Sequence, residues 1–68
     1  MGKTEVEWTL QLTETYNLSK DLKTFFLSDL INELNQSEKE VRRNVLILLS
    51  LKLLKSINIK KNLYKFIG

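Results

Sequence analysis

The amino-acid sequence predicts a mainly α-helical fold with one N-terminal β-strand, assembled as a homodimer and ending in a short C-terminal helical extension. Three observations predict it. A stretch near the N-terminus alternates polar and apolar residues with a period of two. Two later stretches repeat apolar residues at spacings of three and four, parted by a Ser-x-x-Glu signal. The second of these is apolar on nearly every side from Val45 to Leu54, more than a chain of 68 residues readily covers with its own surface.

The strand is Glu5 to Thr13, EVEWTLQLT. Val6, Trp8, Leu10 and Leu12 fall on one face, and Glu5, Glu7, Thr9, Gln11 and Thr13 on the other. This is the pattern of a half-buried strand. A polar connection from Glu14 to Asn17 comes next, with Asn17 or Ser19 as a helix cap. Leu18, Leu22, Phe25, Phe26, Leu30, Ile31 and Leu34 then recur at helical spacing, predicting an amphipathic helix from about Leu18 to Leu34. Ser37 with Glu40 forms a capping box, so the second helix starts near Glu38. Its apolar run carries it to about Ser56, with Lys52 and Lys55 near its end, where cations suit the dipole. In the tail, Ile57 and Ile59 alternate like a strand, whereas Ile59, Leu63, Phe66 and Ile67 follow helical spacing. A short basic amphipathic third helix is the preferred reading. The chain is then a single small domain over 1–68, with a strand–helix–helix core at 4–56 and a basic tail at 57–68.

Composition narrows the function classes. With no Cys and no His, disulfides, the commonest zinc ligands and the usual general base and nucleophile are all missing. The acidic residues scatter over positions that read as exposed, so neither an enzyme nor a cofactor is expected. The start MGKTEVEW has no apolar stretch behind its lysine, and no apolar run reaches the roughly 18 residues of a membrane span. A cytoplasmic protein without a membrane partner is expected. Charge is strongly polarised. Met1 to Glu40 holds four lysines against eight acids, a net of −4, whereas Val41 to Gly68 holds seven cations and no acid, a net of +7. Such a basic half suits a polyanion or an acidic partner, or else lies against the acidic half of its own chain.

A lone strand leaves both edges unpaired, and an all-round apolar helix needs cover on more than one side. A second copy supplies both, through an isologous interface with Trp8, Leu10, Val45 and Leu49 at its centre. Strand, helix, short turn, helix, paired through the strand: VEWTLQLT, LKTFFLSDLINEL and NQSEKEVRRNVLILL together resemble the ribbon-helix-helix (CopG/Arc/MetJ-like) family of DNA-binding transcriptional regulators. The resemblance covers roughly Val6 to Leu54. It implies that the paired strands enter the major groove of double-stranded DNA, with Thr9, Gln11 and Thr13 on base edges. It also implies a phosphate held by the free N–H groups at the start of the second helix, near Ser37, Glu38 and Lys39, with Arg42, Arg43 and the tail lysines on flanking backbone.

Glu5 and Glu7 on the outward face of the ribbon favour a rival from another class. This is a non-enzymatic interaction module, an inhibitor or adaptor, that docks on a protein partner by strand addition and by its basic C-terminal half. Two further arrangements fit the pattern. One is a monomer in which Ile57 to Tyr64 pairs with Glu5 to Thr13 and the helices cover one sheet face. The other is a membrane-surface tail that buries Leu63, Phe66 and Ile67.

Overall fold

The computed structural model describes residues 7–68. Among the described residues the first element is not a strand but a helix, α1, Leu10–Leu22. A three-residue strand β1, Thr24–Phe26, leads directly into α2, Leu27–Glu33, and a four-residue turn connects to α3, Glu38–Ser50. Strands β2, Leu54–Asn58, and β3, Leu63–Phe66, form a hairpin. β3 lies in the middle of an antiparallel sheet of order β1-β3-β2. Phe25 sits opposite Tyr64, and Tyr64 opposite Ser56, across the three strands.

The expected N-terminal ribbon is therefore corrected. Val6 and the residues before it lie outside the described residues, but Leu10, Gln11, Leu12 and Thr13 are helical. Thr9 starts that helix: its hydroxyl accepts the Leu12 N–H at 3.1 Å. The core-facing side of α1 is Leu12, Thr15 and Ser19, at helical spacing. Two of these three are hydroxyl residues, so a count of apolar residues finds alternation at 8, 10 and 12 and overlooks the helix. Thr15 and Ser19 bond back to the carbonyls of Gln11 and Thr15, both at 2.8 Å, which lets them be buried in a helix without unpaired groups.

The single helix expected from Leu18 to Leu34 is split in two. Lys23 takes φ 69°, ψ −57°, in the strained γ-turn region, and ends α1. Thr24, Phe25 and Phe26 then become the edge of the sheet, as suits a β-branched and aromatic run. Asp29 accepts the Phe26 N–H at 2.9 Å and opens α2.

The second helix starts as the capping signal requires, with Ser37 Oγ accepting the Glu40 N–H at 3.2 Å. It stops at Ser50, not Ser56. Lys52 takes φ 63°, its N–H bonds to Leu49 O, and the Leu53 N–H reaches back to Leu48 O, both at 3.0 Å. This is a Schellman closure with a lysine where glycine is usual. The apolar run that looks like one helix thus belongs to two elements. Leu48 is core in α3, and Leu54 is core in β2. The tail is a hairpin rather than a third helix, turned at Asn62 with φ 54°. Among the described residues there is no unpaired strand to call for a second copy, because the three strands pair with one another.

One core holds these elements: Leu12, Phe25, Leu27, Leu30, Val41, Val45, Leu48 and Leu54. Val45, expected at a dimer centre, is buried inside the chain's own core, and Leu49 is half-buried against it. Trp8 stays 47% exposed and meets Tyr16 edge-to-face at 5.6 Å, while Leu10 is 70% exposed. No helix among the described residues is long and apolar enough to cross a membrane.

Replacing Lys52 with glycine is expected to raise the unfolding free energy by about 0.5–1 kcal/mol. A left-handed backbone costs an L-residue roughly 1–2 kcal/mol, and the greater unfolded entropy of glycine offsets about half of that. The urea midpoint of K52G against wild type measures the difference, and a lower midpoint contradicts the strain assigned to this joint.

Candidate nucleic-acid interface

Helix α3 has two chemically distinct sides. Val41, Asn44, Val45 and Leu48 face the core. On the opposite side Lys39, Arg42, Arg43, Leu46 and Ser50 are all exposed. The 3.6-residue period places these five along one stripe. Arg42 Nε donates to Glu38 Oε2 at 2.8 Å, the sole ion pair among the described residues. Both side chains are more than half exposed, so this pair is worth only a few tenths of a kcal/mol and yields readily to a phosphate.

What fixes the direction of that stripe is a buried polar hub. Asn44 is only 3% exposed. Its Nδ2 donates to Thr15 Oγ1 on α1 at 3.3 Å and to Gln36 Oε1 in the α2–α3 turn at 3.0 Å. Gln36 Nε2 in turn reaches Gln11 O on α1 at 3.2 Å. One amide therefore pins α3 to α1 and to its own preceding turn. Among the described residues no buried side-chain polar atom lacks a partner. A rotation of α3 would break the network, since a buried polar group left unpaired costs about 1–3 kcal/mol.

The hairpin adds a second basic element. Its turn, residues 59–62, carries Lys60 and Lys61. Asn58 Oδ1 accepts the Lys61 N–H at 3.1 Å, the Asn62 N–H bonds to Ile59 O at 3.2 Å, and Asn62 O accepts the Leu27 N–H at 2.9 Å. The turn is thus tied to the start of α2. Lys55 and Lys65 stand opposite each other on the outer face of the sheet, and both are exposed. A hollow of about 130 Å³, lined by Leu27, Arg42, Val45, Leu46 and Tyr64, shows that the exposed side of α3 borders the sheet.

The residues predicted from sequence divide accordingly. Lys39, Arg42 and Arg43 share the outer side of α3, and Ser37 caps that helix. Thr9 caps α1, while Gln11 and Thr13 lie within it, so none of the three sits on a ribbon. The fold does bring Thr9 and Gln11 beside Arg43, around a cleft of about 420 Å³ between the start of α1 and α3. Glu7 and Glu40 line the same cleft, which makes it mixed in charge. The hairpin turn as a second basic element is missing from the sequence expectation, because helical spacing is preferred there for the tail. The signal that points to it is the strand-like alternation of Ile57 and Ile59 together with Asn58 and Asn62, residues that tolerate tight turns.

No protein-family model matches this chain, and no curated protein or solved structure matches it either.

Asn44→Ala is expected to destabilise the domain by about 1–3 kcal/mol in chemical denaturation. A double-mutant cycle with Gln36→Ala should give a coupling of about 0.5–1.5 kcal/mol. Additive effects would mean that the hub does not act as a unit.

Proposed function

We propose that this domain binds double-stranded DNA as a small transcriptional regulator, with α3 presented to the major groove and the hairpin lying alongside on the backbone. The observation that carries this reading is the outer side of α3. It bears Lys39, Arg42 and Arg43, and its Arg42 and Leu46 border Tyr64 of the hairpin, whose turn carries Lys60 and Lys61. α2, a short turn and α3 form a helix–turn–helix pair, the unit whose second helix enters the major groove. The hairpin flanks this pair like a wing. Arg42 and Arg43 are suited to guanine edges or to phosphates, and Leu46 to a thymine methyl group. Glu38, paired with Arg42, has the acceptor chemistry for a cytosine amino group.

Strand addition to a protein partner is less well supported. The free edge of the sheet on the hairpin side is β2, and it carries Lys55 and an irregularity in pairing between Ser56 and Asn58. An exposed lysine and a bulge are features that discourage a further strand.

Binding to duplex DNA is expected to weaken steeply with salt. Five phosphate contacts, from Lys39, Arg42, Arg43, Lys60 and Lys61, correspond to a slope of about −4.5 in log K against log salt. Arg43→Ala should reduce that slope by about 1 if Arg43 meets a phosphate, and relax specificity at one base pair if it meets a base. Fluorescence anisotropy across a salt series makes the measurement. Absence of binding to any duplex at low salt would remove the reading.

A further inference from the structure

The geometry points to Ile59 as an apolar wedge that the hairpin drives between base pairs in the minor groove, bending the DNA that α3 holds. This inference rests on the DNA-binding reading above. Ile59 is 81% exposed, the most exposed of the large apolar side chains among the described residues. It occupies the first position of the hairpin turn, immediately before Lys60 and Lys61, and no acid occurs anywhere from Val41 onward.

The turn that presents it is built, not loose. The Asn58 side chain caps it at the Lys61 N–H, Asn62 takes the left-handed backbone that closes it, and Asn62 O is held by the start of α2. The β2–β3 pairing shifts register between Ser56 and Asn58, just below the turn. Such a bulge sharpens the local twist and re-aims the residues beyond it. A β-branched side chain with restricted χ1 is thereby held out beside two cations on a fixed support.

This is the chemistry of minor-groove wedges. Isoleucine is among the side chains that insert at a base step, and basic neighbours hold the phosphates on either side. The energy of unstacking is recovered through the wider contact that a bent duplex makes with the protein. α3 in the major groove and the hairpin tip in the adjoining minor groove would then grip one stretch of duplex from two sides.

The test is the bend angle of the bound duplex, read by energy transfer between dyes at the ends of a DNA of roughly 20–30 base pairs with a central TA step. Wild type is expected to bend it by roughly 20–90°. Ile59→Ser should abolish most of the bend while weakening binding by less than about tenfold. Ile59→Leu should restore it. Both substitutions fall on an exposed side chain, and circular dichroism checks that the fold is unchanged. A duplex bound but left straight by wild type, or bent equally by Ile59→Ser, overturns the wedge and leaves the DNA-binding reading in place. No binding to any duplex overturns both. Ile59-dependent cosedimentation with phosphatidylserine vesicles, without any bend in DNA, overturns the wedge in favour of insertion into a bilayer surface.

Discussion

Three positive-φ joints, at Lys23, Lys52 and Asn62, decide the architecture on which everything else depends. The first turns α1 into β1, the second turns α3 into β2, and the third turns β2 back as β3. The chain has two glycines, Gly2 and Gly68, and no proline, so none of these joints is made by the residue type that usually makes it. Two are lysines held against their own preference. The neighbourhood of β3 supplies the restraint. The Phe66 N–H bonds to Lys23 O at 2.6 Å, the Ile67 N–H to Leu53 O at 2.9 Å, and the β1–α2 junction bonds to Asn62 O. Each joint is thus stabilised by a strand that exists only because the other joints formed. Local strain is offset by non-local pairing, as happens where surrounding structure over-determines a conformation.

The polar hub at Asn44 has a complementary part. The joints determine where elements end, and the hub determines how α3 is rotated between them. Thr15 meets α3 through its hydrogen bond with Asn44, while the buried Ser19 bonds back to Thr15 O within α1. Apolar contacts alone would tolerate a small rotation of α3, because hydrophobic burial is non-directional. The amide of Asn44 does not, since it must satisfy Thr15 and Gln36 together. That is why Arg42 emerges beside Tyr64 of the sheet and Arg43 beside the start of α1.

The parts that are legible in the sequence are those set by contacts within three or four residues. Ser37 and Glu40 announce the start of α3, and the stripe of cations on α3 comes from its period. The features that sequence reading misses depend on distant partners. Lys23 and Lys52 look like helix residues until β3 is placed against them. Thr15 looks like a solvent-facing residue until Asn44 arrives. The alternation at Trp8, Leu10 and Leu12 resembles a strand, although Leu10 proves exposed and Leu12 buried within a helix. The charge asymmetry is readable as a count, but the place where the cations gather requires the hairpin.

That gathering bears on what the basic half is for. If its role were only to neutralise the acidic half of the same chain, ion pairs should link the two. Among the described residues a single pair does so, Glu38 with Arg42 one helical turn apart in α3, and the remaining cations of the basic half make none. Lys55 and Lys65 instead face each other across paired strands, an arrangement that costs a few tenths of a kcal/mol to about 1 kcal/mol. Lys60 and Lys61 crowd the turn beyond them. A polyanion relieves this repulsion on contact, and the release of its counterions adds to the gain. Like charges crowded on the hairpin in this way favour contact with a polyanion. That relief supports the proposed contact with DNA, since an acidic protein surface would supply the charge without the counterion release.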